Sequence, residues 1–516
     1  MSRNIAEIAI WITIITLSSK FIGFLRDVIM ASCFGTSIQT DAFIMSQSIV
    51  GVMTGIVLVA LNTTFIPVYT DYVVNKSNNE KRKFINVIYT FFIGLFIALT
   101  CLGMIFTKQV VFIFAPNFSS EAFYLTVQLT KILLPTITLA GWSTLNNARL
   151  QSHNSYLIPA AIGYPVNILM IMTMLFLTKP FGIVGLAISV SIGTLVQILL
   201  QWPFIRKLGH KYKIEWDLKE EGLRKIGVLV VPILIGNGIQ QINTMVDRML
   251  ASGLPEGSVS ALNFSNRLVL FIVGLMSAAV ASIYYTSMSK YHTEGNDDAF
   301  KKLLRNTTNI LVLIVLPAMV GFMILRLSIV SLIFERGLFD RNASEMTAVA
   351  LFFYAIGLLG YSLRDVLSRA FYALKDTKTA MINGSIAVVL NIVISISLVP
   401  FLGIGGLALG TSVSAHISTL LLMISLRKKI GDFGLGEIGK TFLKTGFVSS
   451  LMGIGVHFGY KFVFSSTGSN TLAVLLSIIL GASLYGCLIL FMKIEEVDEV
   501  KEFTSNKLKL IIKKLS

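Results

Sequence analysis

Apolar residues fall along this chain in runs of about 20 or more, the length that crosses a bilayer, and short polar segments separate them. Fourteen such runs stand out, near 8–30, 42–70, 84–106, 121–148, 156–178, 182–205, 226–252, 258–288, 306–330, 345–368, 379–400, 404–426, 443–463 and 471–492. A backbone in hydrocarbon must satisfy its own N–H and C=O groups, so runs of this length read as helices. The pattern predicts an all-α integral membrane protein with about 14 transmembrane helices. The first run carries Lys20, Arg26 and Asp27 and shows no small-residue cleavage site after a short core. It is expected to stay in the mature chain rather than serve as a signal peptide.

The polar segments carry the topology. The chain is 54% hydrophobic and only 14% charged, with a formal net charge of +16. Counted from the N-terminus, the even-numbered loops and the two ends hold about thirty Lys and Arg, and the odd-numbered loops about five, the bias that marks the cytoplasmic side. Both termini are therefore expected in the cytoplasm, with the basic charge facing anionic membrane lipids and no nucleic-acid partner. Cys33, Cys101 and Cys487 are widely spaced, and the five histidines are scattered. Neither disulfide nor zinc spacing is present.

The chain also repeats itself. PVNILMIMTMLFLTKPFGIVGLAISVSIGT around Asn167 matches VLNIVISISLVPFLGIGGLALGTSVSA around Asn391: an Asn in one span, then Gly-x-x-Gly-Leu-Ala entering the next. DVIMASCFGTSIQTDAF from Asp27 resembles DRMLASGLPEGSVSALNF from Asp247, again about 220 residues on. A unit of six spans puts both halves the same way up, the parallel arrangement in which two lobes rock around a central site. The expected domains are an N-lobe over 1–210, a C-lobe over 211–430, and two added helices with a basic tail over 431–516.

Ionisable residues at bilayer depth need a partner or a wet cavity, since each costs at least ~2.5 kcal/mol there. Lys20, Arg26, Asp27, Asp41, Asp247, Arg248 and Arg267 form the main set; Lys131, Arg326, Arg364 and Asp365 are additional. Lys20 and Asp27 are two helical turns apart and share a face, with Arg26 beside it. Asp41, Arg248, Arg364 and Asp365 read as locally paired or reaching for head groups. Arg26 and Arg267 read as functional: a guanidinium fork suits phosphate oxygens, and an oriented cationic cavity suits a diphosphate head group. Asp247, Asn391 and Thr411 offer a carboxylate, an amide carbonyl and a hydroxyl, the hard donors a sodium ion accepts, although a buried Asn or Thr can also simply bond a neighbouring helix. No P-loop or nucleophile elbow is present to support ATP-driven transport or hydrolysis.

Three segments carry a more specific signal: LSSKFIGFLRDVIMASCFGTSIQTDAF from Leu17, IFERGLFD at 333–340, and YSLRDVLSRAFYALKDTKTA at 361–380. They resemble the signatures of the MurJ/MviN family of lipid II flippases, and the resemblance extends over nearly the whole chain. It implies the fold of the multidrug/oligosaccharidyl-lipid/polysaccharide exporter superfamily: two six-helix lobes around a cationic cavity, plus two C-terminal helices that form a groove for the lipid tail. It also implies a bacterial cytoplasmic-membrane flippase exporting undecaprenyl-diphosphate-linked peptidoglycan precursor, driven by membrane potential or an ion gradient and working beside the cell-wall synthesis machinery. Position by position, Arg26, Asp27 and Arg267 match the family's head-group triad, Lys20 stands where an arginine is usual, and Asp247, Asn391 and Thr411 match its sodium site. No other cofactor is implied.

The sequence departs from the family in span 2, where Thr54 replaces an arginine and Val59 an acid, and at Ser395, where some members carry a second carboxylate. The cavity is thus less charged than the family norm, which leaves another lipid-linked oligosaccharide open as cargo. A membrane-embedded glycosyl- or acyltransferase is the alternative from a different class. The sparse histidines and the duplication argue against it.

Overall fold

The computed structural model describes residues 2–209 and 212–498, so the basic tail over 499–516 lies outside the described residues. Every regular element among the described residues is helical, as the long apolar runs require. In chain order these are α1 (Ser2–Phe34), α2 (Ile38–Asn75), α3 (Asn78–Ile105), α4 (Thr107–Phe114), α5 (Ser120–Leu133), α6 (Pro135–Ser152), α7 (Leu157–Ala161), α8 (Tyr164–Met172), α9 (Thr178–Lys207) and α10 (Glu221–Ala251). They continue with α11 (Ser258–Thr293), α12 (Asp297–Ile324), α13 (Arg326–Phe334), α14 (Arg341–Ile356), α15 (Leu358–Ala373), α16 (Thr377–Leu402), α17 (Ile404–Ile430), α18 (Leu435–Thr467) and α19 (Asn470–Ile489). Among the described residues, ten helices are long and apolar enough to cross a membrane, or eleven if α14 and α15, bent by 44°, count as one span. Helices α1, α10 and α11 run for 33, 31 and 36 residues, also sufficient by length at about 1.5 Å per residue.

The chain forms two compact units, Met1–Asn263 with Arg336–Ala343, and Phe264–Glu335 with Ser344–Ser516. Polar residues place the helix starts. Ser77 and Glu80 form a reciprocal capping box on α3, Asn296 caps α12, and Ser469 caps α19. The internal repeat is visible in the backbone. Gly182 and Gly403, the first glycines of the matched Gly-x-x-Gly-Leu-Ala segments, adopt nearly the same left-handed conformation, φ 52°, ψ −143° and φ 52°, ψ −125°. A residue with a Cβ resists that geometry, so one glycine per half makes the same sharp bend between consecutive spans.

In the first unit the described part of the connection between α9 and α10, 212–220, straps along α2 and α3. The Tyr72 hydroxyl donates to Glu220 (2.6 Å), Asn86 Nδ2 to Glu215 (3.2 Å), and Lys83 Nζ pairs with Asp217 at 2.7 Å. The Lys83 ammonium holds the Asp217 carboxyl below its ordinary value.

Candidate functional site: an arginine held at the contact of α1 and α8

Helix α1 packs on α7 and α8 through small residues. A Cβ on Gly163 would lie 2.5 Å from Ser19 Oγ, and one on Gly23 would lie 3.6 Å from Asn167 Nδ2. Such surfaces let helices approach closely in lipid, where no hydrophobic force drives them together. The Ser18 and Tyr164 hydroxyls are bonded across the same contact, and Tyr164 also reaches the Ile15 carbonyl at 3.1 Å.

This close approach brings three side chains together. Arg26 donates from Nε to Asp27 Oδ1 at 3.0 Å and from Nη2 to the same oxygen at 2.5 Å. Its Nη1 donates to Asn167 Oδ1 at 3.0 Å, and Asn167 is itself fixed by Nδ2 donating to the Gly163 carbonyl at 2.9 Å. Asp27 is only 4% exposed, while the Arg26 side chain keeps 16% of its surface open. A guanidinium has five donors. Three are engaged by oxygens and Nη1 also lies 3.9 Å from Met170 Sδ, a weak contact, so the fork is aimed and retains capacity for an anion. Lys20, two turns earlier, is exposed on α1.

The other expected site residues are placed as follows. Arg267 lies exposed on α11 in the second unit. Asp247 belongs to the first unit. Asn243 Nδ2 donates to its Oδ2 at 3.4 Å, while its buried Oδ1 has no hydrogen-bond partner among the described residues. Asn391 and Thr411 lie in the second unit on the paired helices α16 and α17. Asn391 is 2% exposed and accepts from Ser395 Oγ at 3.2 Å. The Thr411 hydroxyl donates to the Leu407 carbonyl at 2.9 Å and keeps its acceptor lone pairs.

Sequence reasoning passed over Asn167 as a site residue. The available signal was the repeat, because Asn167 occupies in the first half the place Asn391 occupies in the second. Thr54 donates to the Val50 carbonyl of its own helix at 2.7 Å, so its hydroxyl is satisfied locally and that stretch of span 2 carries no cation.

The signature segments have structural explanations. Asp41 caps the start of α11: its carboxylate accepts from the backbone N–H of Gly257 (2.8 Å) and Ser260 (2.7 Å) and from the Ser260 hydroxyl. Its partners are thus backbone and hydroxyl groups distant in sequence, neither a neighbouring charge nor a lipid head group. In IFERGLFD, Gly337 has φ 61°, and a Cβ there would sit 2.2 Å from the Ser32 carbonyl oxygen, which Leu338 N–H bonds at 2.8 Å. In the third segment Asp376 caps α16 through Thr379 N–H at 3.1 Å and pairs with Lys429 Nζ at 2.6 Å. These donors, Lys429 first, hold its carboxyl at about 2.

A bundle of long apolar helices with a buried, partnered ion pair at a helix contact is the design of a multi-pass membrane protein. A multidrug resistance MATE transporter of the MOP superfamily, in an inward-facing conformation, superposes with a TM-score of 0.63 at 15% identity, covering 81% of this chain and 98% of that one. The chain belongs to the lipid II flippase MurJ family, whose family model matches residues 30–480. It is 30% identical over 434 residues to the probable lipid II flippase MurJ of Vibrio cholerae, covering 82% of this chain and 83% of the relative. The structure of a lipid II flippase MurJ in an inward closed conformation matches with a TM-score of 0.79 and 26% identity, over 93% of this chain and 98% of that one.

Proposed function

We propose that this chain, a flippase rather than an enzyme, moves lipid II from the inner to the outer leaflet of the bacterial cytoplasmic membrane by alternating access. Family membership supports the cargo. The observation that carries the mechanism is the Arg26 fork, pinned by Asp27 and Asn167 yet partly open. Arg26 binds diphosphate oxygens of the head group through its remaining N–H groups, Asp27 fixes its orientation, and Lys20 and Arg267 add charge. The undecaprenyl tail stays in lipid, in a groove formed by α18 and α19.

The proposed topology has fourteen spans with both termini in the cytoplasm, two six-span lobes over 1–210 and 211–430, and two further helices over 431–516. Asp247, Asn391 and Thr411 are proposed to hold a sodium ion. The buried, unpartnered Oδ1 of Asp247 suits one, and the hydroxyl and amide carbonyl are hard donors of the right kind. A bound sodium would neutralise the Asp247 carboxylate. Membrane potential or an ion gradient supplies the energy, and the cell-wall synthesis machinery supplies and consumes the cargo.

Complementation tests this reading. In a conditional lipid II flippase mutant, the wild-type chain should restore growth, and Arg26→Ala with Arg267→Ala should not, at equal protein level. Growth restored equally by the double variant would overturn the head-group role.

A further inference from the structure

The second unit contains a groove of about 750 Å³ between the end of α12, the start of α13, the first turns of α14 and the last third of α18. This falls within the roughly 300–1,000 Å³ of small-molecule sites. Its polar lining includes Arg326, Glu345, His457, Tyr460 and Lys461, set against an apolar wall that includes Phe352. Its lining comes from α12, α13, α14 and the face of α18 that carries His457, Tyr460 and Lys461.

The groove is a built site. The Arg326 guanidinium lies 4.9 Å from the Phe352 ring centroid and donates to the Met323 carbonyl at 3.0 Å. It has no carboxylate partner among the described residues, and neither has Lys461. His457 and Lys461 are four residues apart on α18 and share a face. Leaving the imidazole out of the count, the lining holds two cations, Arg326 and Lys461, and one carboxylate, Glu345, for a net charge of +1. The floor is fixed: the Tyr460 hydroxyl donates to Asn470 Oδ1 at 2.9 Å, and Asn470 Nδ2 donates to the Ser328 carbonyl at 3.2 Å. Beneath it lies a packed cluster of Leu325, Ile329, Met452, Val456 and Val474. Phe458 and Phe462, on the same stretch of α18, are 65% and 73% exposed, a surface suited to acyl chains rather than water.

We propose that this groove binds a phospholipid with a net-negative head group, its phosphate between Arg326 and Lys461 and its first chain carbons on the apolar wall. With the basic loops inside, as in the topology above, the groove lies at the outer end of its helices, the side poorest in Lys and Arg. Cations left unpaired there by the protein are matched by lipid phosphate, and the apolar wall disfavours a soluble anion.

Native mass spectrometry of the full chain in detergent tests this without depending on topology or flipping. The probes are phosphatidylglycerol and phosphatidylcholine with identical chains. The wild type should retain phosphatidylglycerol preferentially, and Arg326→Gln with Lys461→Gln should hold it roughly thirtyfold more weakly, from the usual increment per cation at a lipid surface. Lys440→Gln, near the opposite end of α18, should retain it like wild type. A diazirine-bearing phosphatidylglycerol should label wild-type peptides containing 320–328 and 457–461, a readout independent of how the variants fold. Equal retention of the two lipids by wild type, equal weakening by Lys440→Gln, or labelling confined to other peptides would each overturn the proposal.

Discussion

Replacing Asn167 by Leu removes the oxygen that tethers Arg26 from α8 while nearly preserving volume. Two bonds are lost, Arg26 Nη1 to Oδ1 at 3.0 Å and Nδ2 to the Gly163 carbonyl at 2.9 Å. A hydrogen bond from a charged donor is worth about 1.5–3 kcal/mol. Asp27 still holds the Nε and Nη2 edge, so the guanidinium stays charged and present but loses its orientation toward the head group. If that orientation is used in transport, the rate should fall roughly ten- to hundredfold. Asn167→Asp should be worse, because a second carboxylate would neutralise the cation that the cargo must meet. The assay is lipid II translocation in cells depleted of their own flippase, normalised to the amount of inserted protein. If Asn167→Leu transports within about twofold of wild type, the orientation argument fails, whatever the fate of Arg26 itself.

Four further outcomes follow from the same geometry. Gly337→Ala should lower thermal stability in detergent, because a side chain at φ 61° is strained and its Cβ would meet the Ser32 carbonyl oxygen, backbone that cannot step aside; an unchanged melting temperature would count against the close packing of this turn. Asp41→Asn should destabilise the protein by about 2 kcal/mol, since the charged acceptor of two backbone N–H groups on the α11 turn is lost, measurable by denaturation in detergent. Asp376 is held at about 2 against an ordinary 3.8, so its stabilisation is fully present above about pH 4 and lost as pH falls from 4 to 2. The melting difference between wild type and Asp376→Asn should therefore be constant at neutral pH and close toward pH 2; no difference at pH 7 would remove the cap and ion pair from the account. Lys20→Arg should support transport at least as well as wild type in the depleted cells, because it restores a fork, whereas Lys20→Ala should impair it.

The fold was legible in the sequence because hydrocarbon leaves the backbone few choices. Apolar length predicted helices, and the duplicated Gly-x-x-Gly-Leu-Ala segments predicted a repeat; the bends that Gly182 and Gly403 make with the same φ emerge only in the structure. The site was legible in part. Arg26 beside Asp27 announced an ion pair, since a charge in a span must be matched. The third member, Asn167, lies 141 residues away and is brought to Arg26 only by the small-residue contact at Gly163 and Gly23. Periodicity along α1 carries no information about that partner. Asp41 illustrates the reverse case: its charge drew attention as a candidate, while its work is to satisfy backbone N–H groups at the start of α11, which depends on a turn more than 200 residues away. The groove beside Arg326 was illegible for the same reason, because its lining comes from four helices that no local pattern connects.

Reconstitution of the purified chain into sealed vesicles with labelled lipid II on one leaflet bears most directly on the central claim. An impermeant reagent that converts only the opposite leaflet reports each molecule that crosses. The wild-type chain should deliver lipid II to the reagent well above protein-free vesicles, and Arg26→Ala, correctly inserted, should fall to that background. Crossing by Arg26→Ala at the wild-type rate would contradict the assignment of the guanidinium as the group that receives the head group.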